Sequence, residues 1–312
     1  MCSTSGRGSN VLTISATHDT SASTANGVAV TTCTALAWCR RVTDALQILS
    51  ADRRLGLSVL LAMNALSAPY LNLVHDARLY ALQVQNRVSN GAFSTDLFLR
   101  FGSQDQYTPF SRMVAPLAKV LGIEWSFFVL FLIFNTLLVV AIRSTVDALI
   151  ENRFVSMVAQ LSIVMSRLPN GGLTVFDVRE SFFTPRVVAC ALALFALTRA
   201  LRQHHVAAWA LALGATLAHP LMGFGALLVV AVCHGFDLLP RGAVIAVLGL
   251  ATAVGVVTLG YRPLGTALFG TMDQDWLEIV RGVSPYNFPD QWLSSDWIRT
   301  LMAITLSACA AL

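Results

Sequence analysis

Leu55–Val74 reads LGLSVLLAMNALSAPYLNLV, twenty residues without a charged side chain, and Ile123–Ile142 reads IEWSFFVLFLIFNTLLVVAI, interrupted only by Glu124. A helix rising about 1.5 Å per residue needs about 20 residues to cross the ~30 Å hydrocarbon core of a bilayer. Both stretches therefore predict membrane-crossing helices, and they decide the fold class. The rest of the chain agrees. Of 312 residues, 55% are hydrophobic and 12% are charged, against about 25% charged in soluble domains. Mean hydropathy is +0.66. That composition excludes a soluble globular protein and a disordered one. The formal net charge of +4 is carried by arginine, with Lys119 the single lysine, and no basic run suggests a nucleic-acid partner. The six cysteines show neither CxxC nor metal-ligand spacing, and the three in apolar spans read as buried free thiols.

Working outward, apolar segments recur at about 154–166, 185–201, 206–219, 221–234, 243–260 and 298–312. The expectation is an all-α, polytopic transmembrane helix bundle of about eight spans, some short or broken. Its first outer loop, between the two quoted stretches, is large and helical: His75–Val88 and Ser111–Leu121 both have amphipathic spacing. Residues 1–50 stand apart. Met1–Thr34 is rich in Ser, Thr, Ala and Gly and predicts a disordered tail, while 36–49 has helical spacing and carries Arg40 and Arg41. The division expected is a cytoplasmic tail over 1–50 and a bundle over 51–312. Because Leu312 lies inside an apolar run, a C-terminally truncated bundle is expected.

Arginine placement orients the chain. Arg53 and Arg54 precede the first span, Arg143 and Arg153 follow the second, and Arg199, Arg202 and Arg241 fall in later short loops. With alternating spans all of them face one side, which the positive-inside rule makes cytoplasmic. The expected location is a bacterial inner membrane, with the N-terminus in the cytoplasm and the bilayer itself as a partner.

The unusual polar residues then gather on the outer side. His75-Asp76-Ala77-Arg78 with Tyr80 follows the first span directly. Asp76 is either a helix N-cap or a carboxylate at the membrane surface that serves as general base or cation ligand. Phe101–Thr108, which contains Asp105, is a turn-rich stretch between the loop helices. In Arg179–Arg186, Thr184 suits an N-cap and Pro185 the first helical position. Arg186 then carries positive charge into a first turn, where the helix dipole opposes it. It either holds an anion there, or snorkels or pairs with Glu180. His219-Pro220 breaks two short apolar segments. Trp276, Tyr286, Phe288, Trp292 and Trp297 read as an interfacial aromatic belt or as the wall of a lipid-carrier groove. Asp273-Gln274-Asp275 spells the DxD of some metal-dependent sugar-nucleotide enzymes, too short a string to assign a metal site.

Together, HDARLYALQ (75–83), FGSQDQYTPFS (101–111), ESFFTPR (180–186) and AHPLMG (218–223) resemble the GT-C class of polytopic glycosyltransferases, in an uncharacterised bacterial multispan branch. The resemblance runs from about residue 55 to 235. It implies transfer of a sugar from a polyprenyl-phosphate carrier on the outer face, and it places the class's acidic residue after the first span at Asp76. The residues alone allow Asp76 as base for the acceptor, Arg186 holding the carrier phosphate, and Asp105, Glu180 and His219 orienting the acceptor or binding a divalent metal. A non-catalytic membrane protein of envelope polysaccharide assembly and a transporter subunit are the alternatives.

Overall fold

The computed structural model describes residue 38, residues 40–166, 179–238 and 273–311, and scattered positions between 240 and 250. The expected tail over 1–34 and most of the apolar segment 243–260 lie outside the described residues. The chain divides into two units, Met1–Leu49 and Ser50–Leu312. In the first, residues 40–49 are helical. The second is all-α, with no strand among the described residues.

Helix α1 is Arg53–Ser67. The Asp52 carboxylate caps it, accepting from the backbone N–H groups of Arg54 and Leu55 at 2.8 and 3.1 Å. The helix is 15 residues long, shorter than the apolar run predicts. Pro69 disfavours helical geometry at Ala68, and Asn72 and His75 adopt φ of +65° and +47°, so the chain turns before the run ends. Two amphipathic helices of the following loop are α2, Asp76–Val88, and α3, Phe110–Leu121. Gly122, at φ +79°, makes the corner into α4, the 27-residue helix Ile123–Leu149. Then come α5, Arg153–Met165, α6, Pro185–Leu201, α7, His205–Ala218, and α8, Pro220–Leu238.

Six of these helices alternate in direction. Asn64 Nδ2 donates to Asn135 Oδ1 at 3.1 Å and Arg143 donates to the Arg53 carbonyl at 2.8 Å, so α1 and α4 are antiparallel. Ser67 Oγ donates to the Val164 carbonyl at 3.0 Å, which runs α5 alongside α1. Thr145 and Thr198 hydroxyls meet at 3.0 Å, which runs α6 alongside α4. The hairpin of α7 and α8 closes with His205 and His234 rings stacked at 4.2 Å. Alanines 189, 196, 200, 208, 212, 215 and 226 form the core of α6–α8. Their short side chains bring helix backbones close, as in membrane bundles.

One end of this bundle carries Arg53, Arg143, Arg153 and Arg202. The other carries the loop with α2 and α3, the start of α6 and the α7–α8 turn. Among the described residues, two helices, α4 and α8, are long and apolar enough to cross a membrane. For the first apolar run this corrects the expected length, because Pro69 ends the helix early. The break at Pro220 falls where expected, and α8 runs on to Leu238. Beyond the undescribed stretch lie α9, Gln274–Val283, and α10, Ser294–Ala311. Asp273 caps α9, accepting from the Trp276 N–H at 2.8 Å, so the first acid of the DxD string has a helix-capping role.

Candidate active site at the loop end of the bundle

The site begins with the spacing of α2. Asp76, Tyr80 and Gln83 are four and then three residues apart, which places them on one helical face. Asp76 occupies the first turn, and its carboxylate reaches across to another segment. Arg186 Nη1 lies 2.7 Å from Asp76 Oδ2. His75, not Asp76, occupies the N-cap position of α2, and the Asp76 carboxylate pairs with Arg186 instead.

Packing brings Arg186 there. Phe183 is fully buried and meets Phe110, Phe127 and Phe134 at centroid distances of 5.5, 5.7 and 5.8 Å. The Leu71 N–H donates to the Ser181 carbonyl at 2.7 Å, pinning the segment to the loop after α1. Arg179, also buried, donates to Ser67 Oγ at 2.8 Å and to the carbonyls of Val164 and Ser166, closing the C-terminus of α5. Helix α6 then starts with Pro185 at its first position, as expected. Thr184 precedes it, but its hydroxyl donates to the Glu180 carboxylate and makes no cap bond.

Arg186 thus sits between two carboxylates. Its Nε donates to Glu180 Oε1 at 2.6 Å, and Nη2 lies 2.5 Å from the same oxygen. The Glu180 side chain is 10% exposed and that of Asp76 is 46% exposed. Glu180 is therefore the buried anchor and Asp76 the accessible partner. Burial pushes the Glu180 carboxyl above its ordinary range, although Arg186 and the Thr184 hydroxyl pull the other way. Three of the five guanidinium N–H groups face carboxylates, which leaves one on each terminal nitrogen.

Asp76, Tyr80, Gln83, Gln104, Arg186 and His219 line a cleft of about 250 Å³, with Leu79, Phe98 and Gly102 completing its wall. Tyr80 Oη donates to Gln104 Oε1 at 3.1 Å, and burial pushes the Tyr80 phenol up to about 12. Gln83 is 1% exposed and its Nε2 has no hydrogen-bond partner. A buried amide donor without a partner is costly, and a ligand oxygen in the cleft would satisfy it. His219 is buried at the α7–α8 break, with Nδ1 turned to the Met222 N–H at 3.4 Å.

Of the residues singled out from the sequence, Asp76, Glu180, Arg186 and His219 come together here. Asp105 does not line the cleft. It pairs with Arg87 at 2.8 Å and accepts from Ser111 Oγ, tying α2 to α3. Its neighbour Gln104 takes the cleft position, because the one-turn helix Gln104–Gln106 points successive side chains in different directions. Gln83 and Gln104 escaped sequence reasoning. The spacing of Gln83 from Asp76 on a helix was a usable signal; Gln104 carried none. No group of three or more metal-ligating side chains occurs among the described residues. No family model, curated protein or solved structure matches this chain.

Proposed function

We propose that the cleft is the active site of a membrane glycosyltransferase that takes a sugar from a polyprenyl-phosphate carrier at the outer face. The supporting observation is the Asp76–Arg186 contact. Two opposite charges far apart in sequence meet at the edge of a cleft that also holds an unpartnered amide donor. In this reading the alternating helices form a multi-pass bundle, with the arginine-rich end and the N-terminus in the cytoplasm of a bacterial cell. The two long apolar helices support membrane association.

The chemistry follows from the residues. Asp76, the exposed carboxylate, takes the proton from an acceptor hydroxyl as its oxygen bonds to the anomeric carbon. The anomeric carbon–oxygen bond breaks, and its electron pair leaves with the lipid phosphate. Arg186 holds Asp76 in position, and its two remaining N–H groups meet the charge that grows on the phosphate. Glu180 keeps the guanidinium from swinging away. Gln83 Nε2 donates to a sugar or phosphate oxygen.

Purified protein in nanodiscs, supplied with radiolabelled polyprenyl-phosphate sugars and mixed glycan acceptors, tests this. Asp76→Asn should reduce transfer by about 10²-fold or more while carrier binding persists, because the amide keeps the shape and cannot accept the proton. Undiminished transfer by Asp76→Asn would remove Asp76 as the base. Absence of transfer from every polyprenyl-phosphate sugar tried would refute the glycosyltransferase reading.

A further inference from the structure

A second cleft, of about 290 Å³, opens at the same end of the bundle, where the loop after α1 meets the first turns of α4. It is lined by Tyr70, Asn72, Glu124, Trp125 and Phe128. Three of the five are aromatic, and their rings are steeply inclined. Tyr70 and Phe128 centroids lie 5.3 Å apart at 50°, and those of Trp125 and Phe128 lie 5.8 Å apart at 76°. Two polar groups are unused. The exposed Glu124 carboxylate has no hydrogen-bond or ion-pair partner among the described residues, and the Tyr70 hydroxyl is buried without one.

Each residue alone has an ordinary explanation. Trp125 suits an interfacial belt, and Glu124 in the first turn of α4 is favoured by the helix dipole. Neither explains why three rings from two segments gather around one carboxylate, beside a buried hydroxyl that no described side chain or backbone group satisfies. Ring faces carry negative potential, and Glu124 adds a full negative charge, so the cleft favours a cation. A bare metal ion would need several oxygen ligands, and the cleft lining supplies one carboxylate. An alkylammonium group needs what is present: aromatic faces within about 6 Å of its charge, a carboxylate for its N–H or its field, and a hydroxyl oxygen as a further acceptor.

We propose that this cleft binds an organic ammonium group, with the nitrogen against the Trp125 and Phe128 rings and Glu124 as its counter-charge. The same chemistry is carried by a free amine and by the headgroup of an aminophospholipid. The site is separate from the Asp76–Arg186 cleft and does not depend on the reading of that cleft.

The test uses the full chain in detergent without amine lipids, titrated with ethanolammonium and tetramethylammonium chlorides against sodium chloride at equal ionic strength. Tryptophan emission is the readout, assigned to Trp125 by its loss in Trp125→Phe. A second arm compares nanodiscs of phosphatidylglycerol alone with nanodiscs also containing phosphatidylethanolamine. Saturable binding that Glu124→Gln weakens about tenfold or more, with an unchanged melting temperature, supports the proposal. Response to the soluble cations identifies a free-amine site; response to phosphatidylethanolamine alone identifies a headgroup site. Affinity unchanged by Glu124→Gln, saturation by neutral sugars in place of the ammonium ions, or no saturable response in either arm would overturn it.

Discussion

Arg186→Met removes the guanidinium and keeps most of the apolar stem. Glu180, with a side chain 10% exposed, is then a buried carboxylate facing only the Thr184 hydroxyl among the partners it had. Removing one member of a buried ion pair costs about 3–5 kcal/mol, because the remaining charge is uncompensated. Asp76, 46% exposed, can hydrate, and its share should be about 1 kcal/mol or less. The expected loss at pH 8 is thus about 3–5 kcal/mol, carried almost wholly by Glu180. Glu180→Gln in the same chain removes the stranded charge, and the double variant should recover about half of the loss or more. The pH dependence has a definite sign. Burial already holds the Glu180 carboxyl above its ordinary value, and loss of Arg186 removes the largest opposing influence. The folded state then binds the proton more tightly than the unfolded state. That contribution is complete below the ordinary carboxylate value and is lost as pH rises through the raised folded one. The Arg186→Met defect should therefore be smaller at about pH 5 than at pH 8. Reversible unfolding in mixed micelles, followed by far-UV circular dichroism and tryptophan emission at both pH values, measures it. A loss below ~1 kcal/mol at pH 8, or no difference between Arg186→Met and the double variant, would refute the buried-anchor argument.

Two further outcomes follow from the helix directions and the tight α7–α8 hairpin. A cysteine at Tyr107, which is 74% exposed, and one at Arg202 should be labelled from opposite sides of the membrane in a cysteine-free background; labelling of both from one side would contradict the proposed orientation of the bundle. Gly223→Ala should destabilise the protein by about 1–3 kcal/mol, since a Cβ there overlaps the backbone of Ala215 and Thr216, and thermal melts that match wild type would show that the hairpin is looser than described.

The fold class was legible because a long apolar helix announces itself locally. Ile123–Leu149 needs no distant partner to satisfy its backbone, and composition alone identifies it. One helix start was legible for the same reason: Pro185 occupies a first helical position. Asp52, Asn152 and Asp273 each cap the helix that follows, which the sequence reading did not single out. Leu55–Val74 shows the limit of an apolar count. The run has the right hydrophobicity, but Pro69 and the left-handed Asn72 end the helix within it.

The site divides differently. That Asp76 and Arg186 were unusual could be read from position, since a cation in the first turn of a helix opposes the dipole and needs another reason to be there. The pairing of Arg186 with Glu180 was one of the readings left open from sequence, whereas the meeting of Asp76 with Arg186 needed the fold. Asp76 was equally plausible as a cap, and Asp105 as a site residue, until the packing of Phe183 and the Leu71–Ser181 hydrogen bond set which segments meet. Capping and hydrophobic length depend on neighbours within a few residues, so the sequence by itself determined the helices. Which carboxylate faces the guanidinium, and which is buried, depends on contacts across about a hundred residues of chain, and only the tertiary structure decided that Arg186 lies between a buried Glu180 and an accessible Asp76.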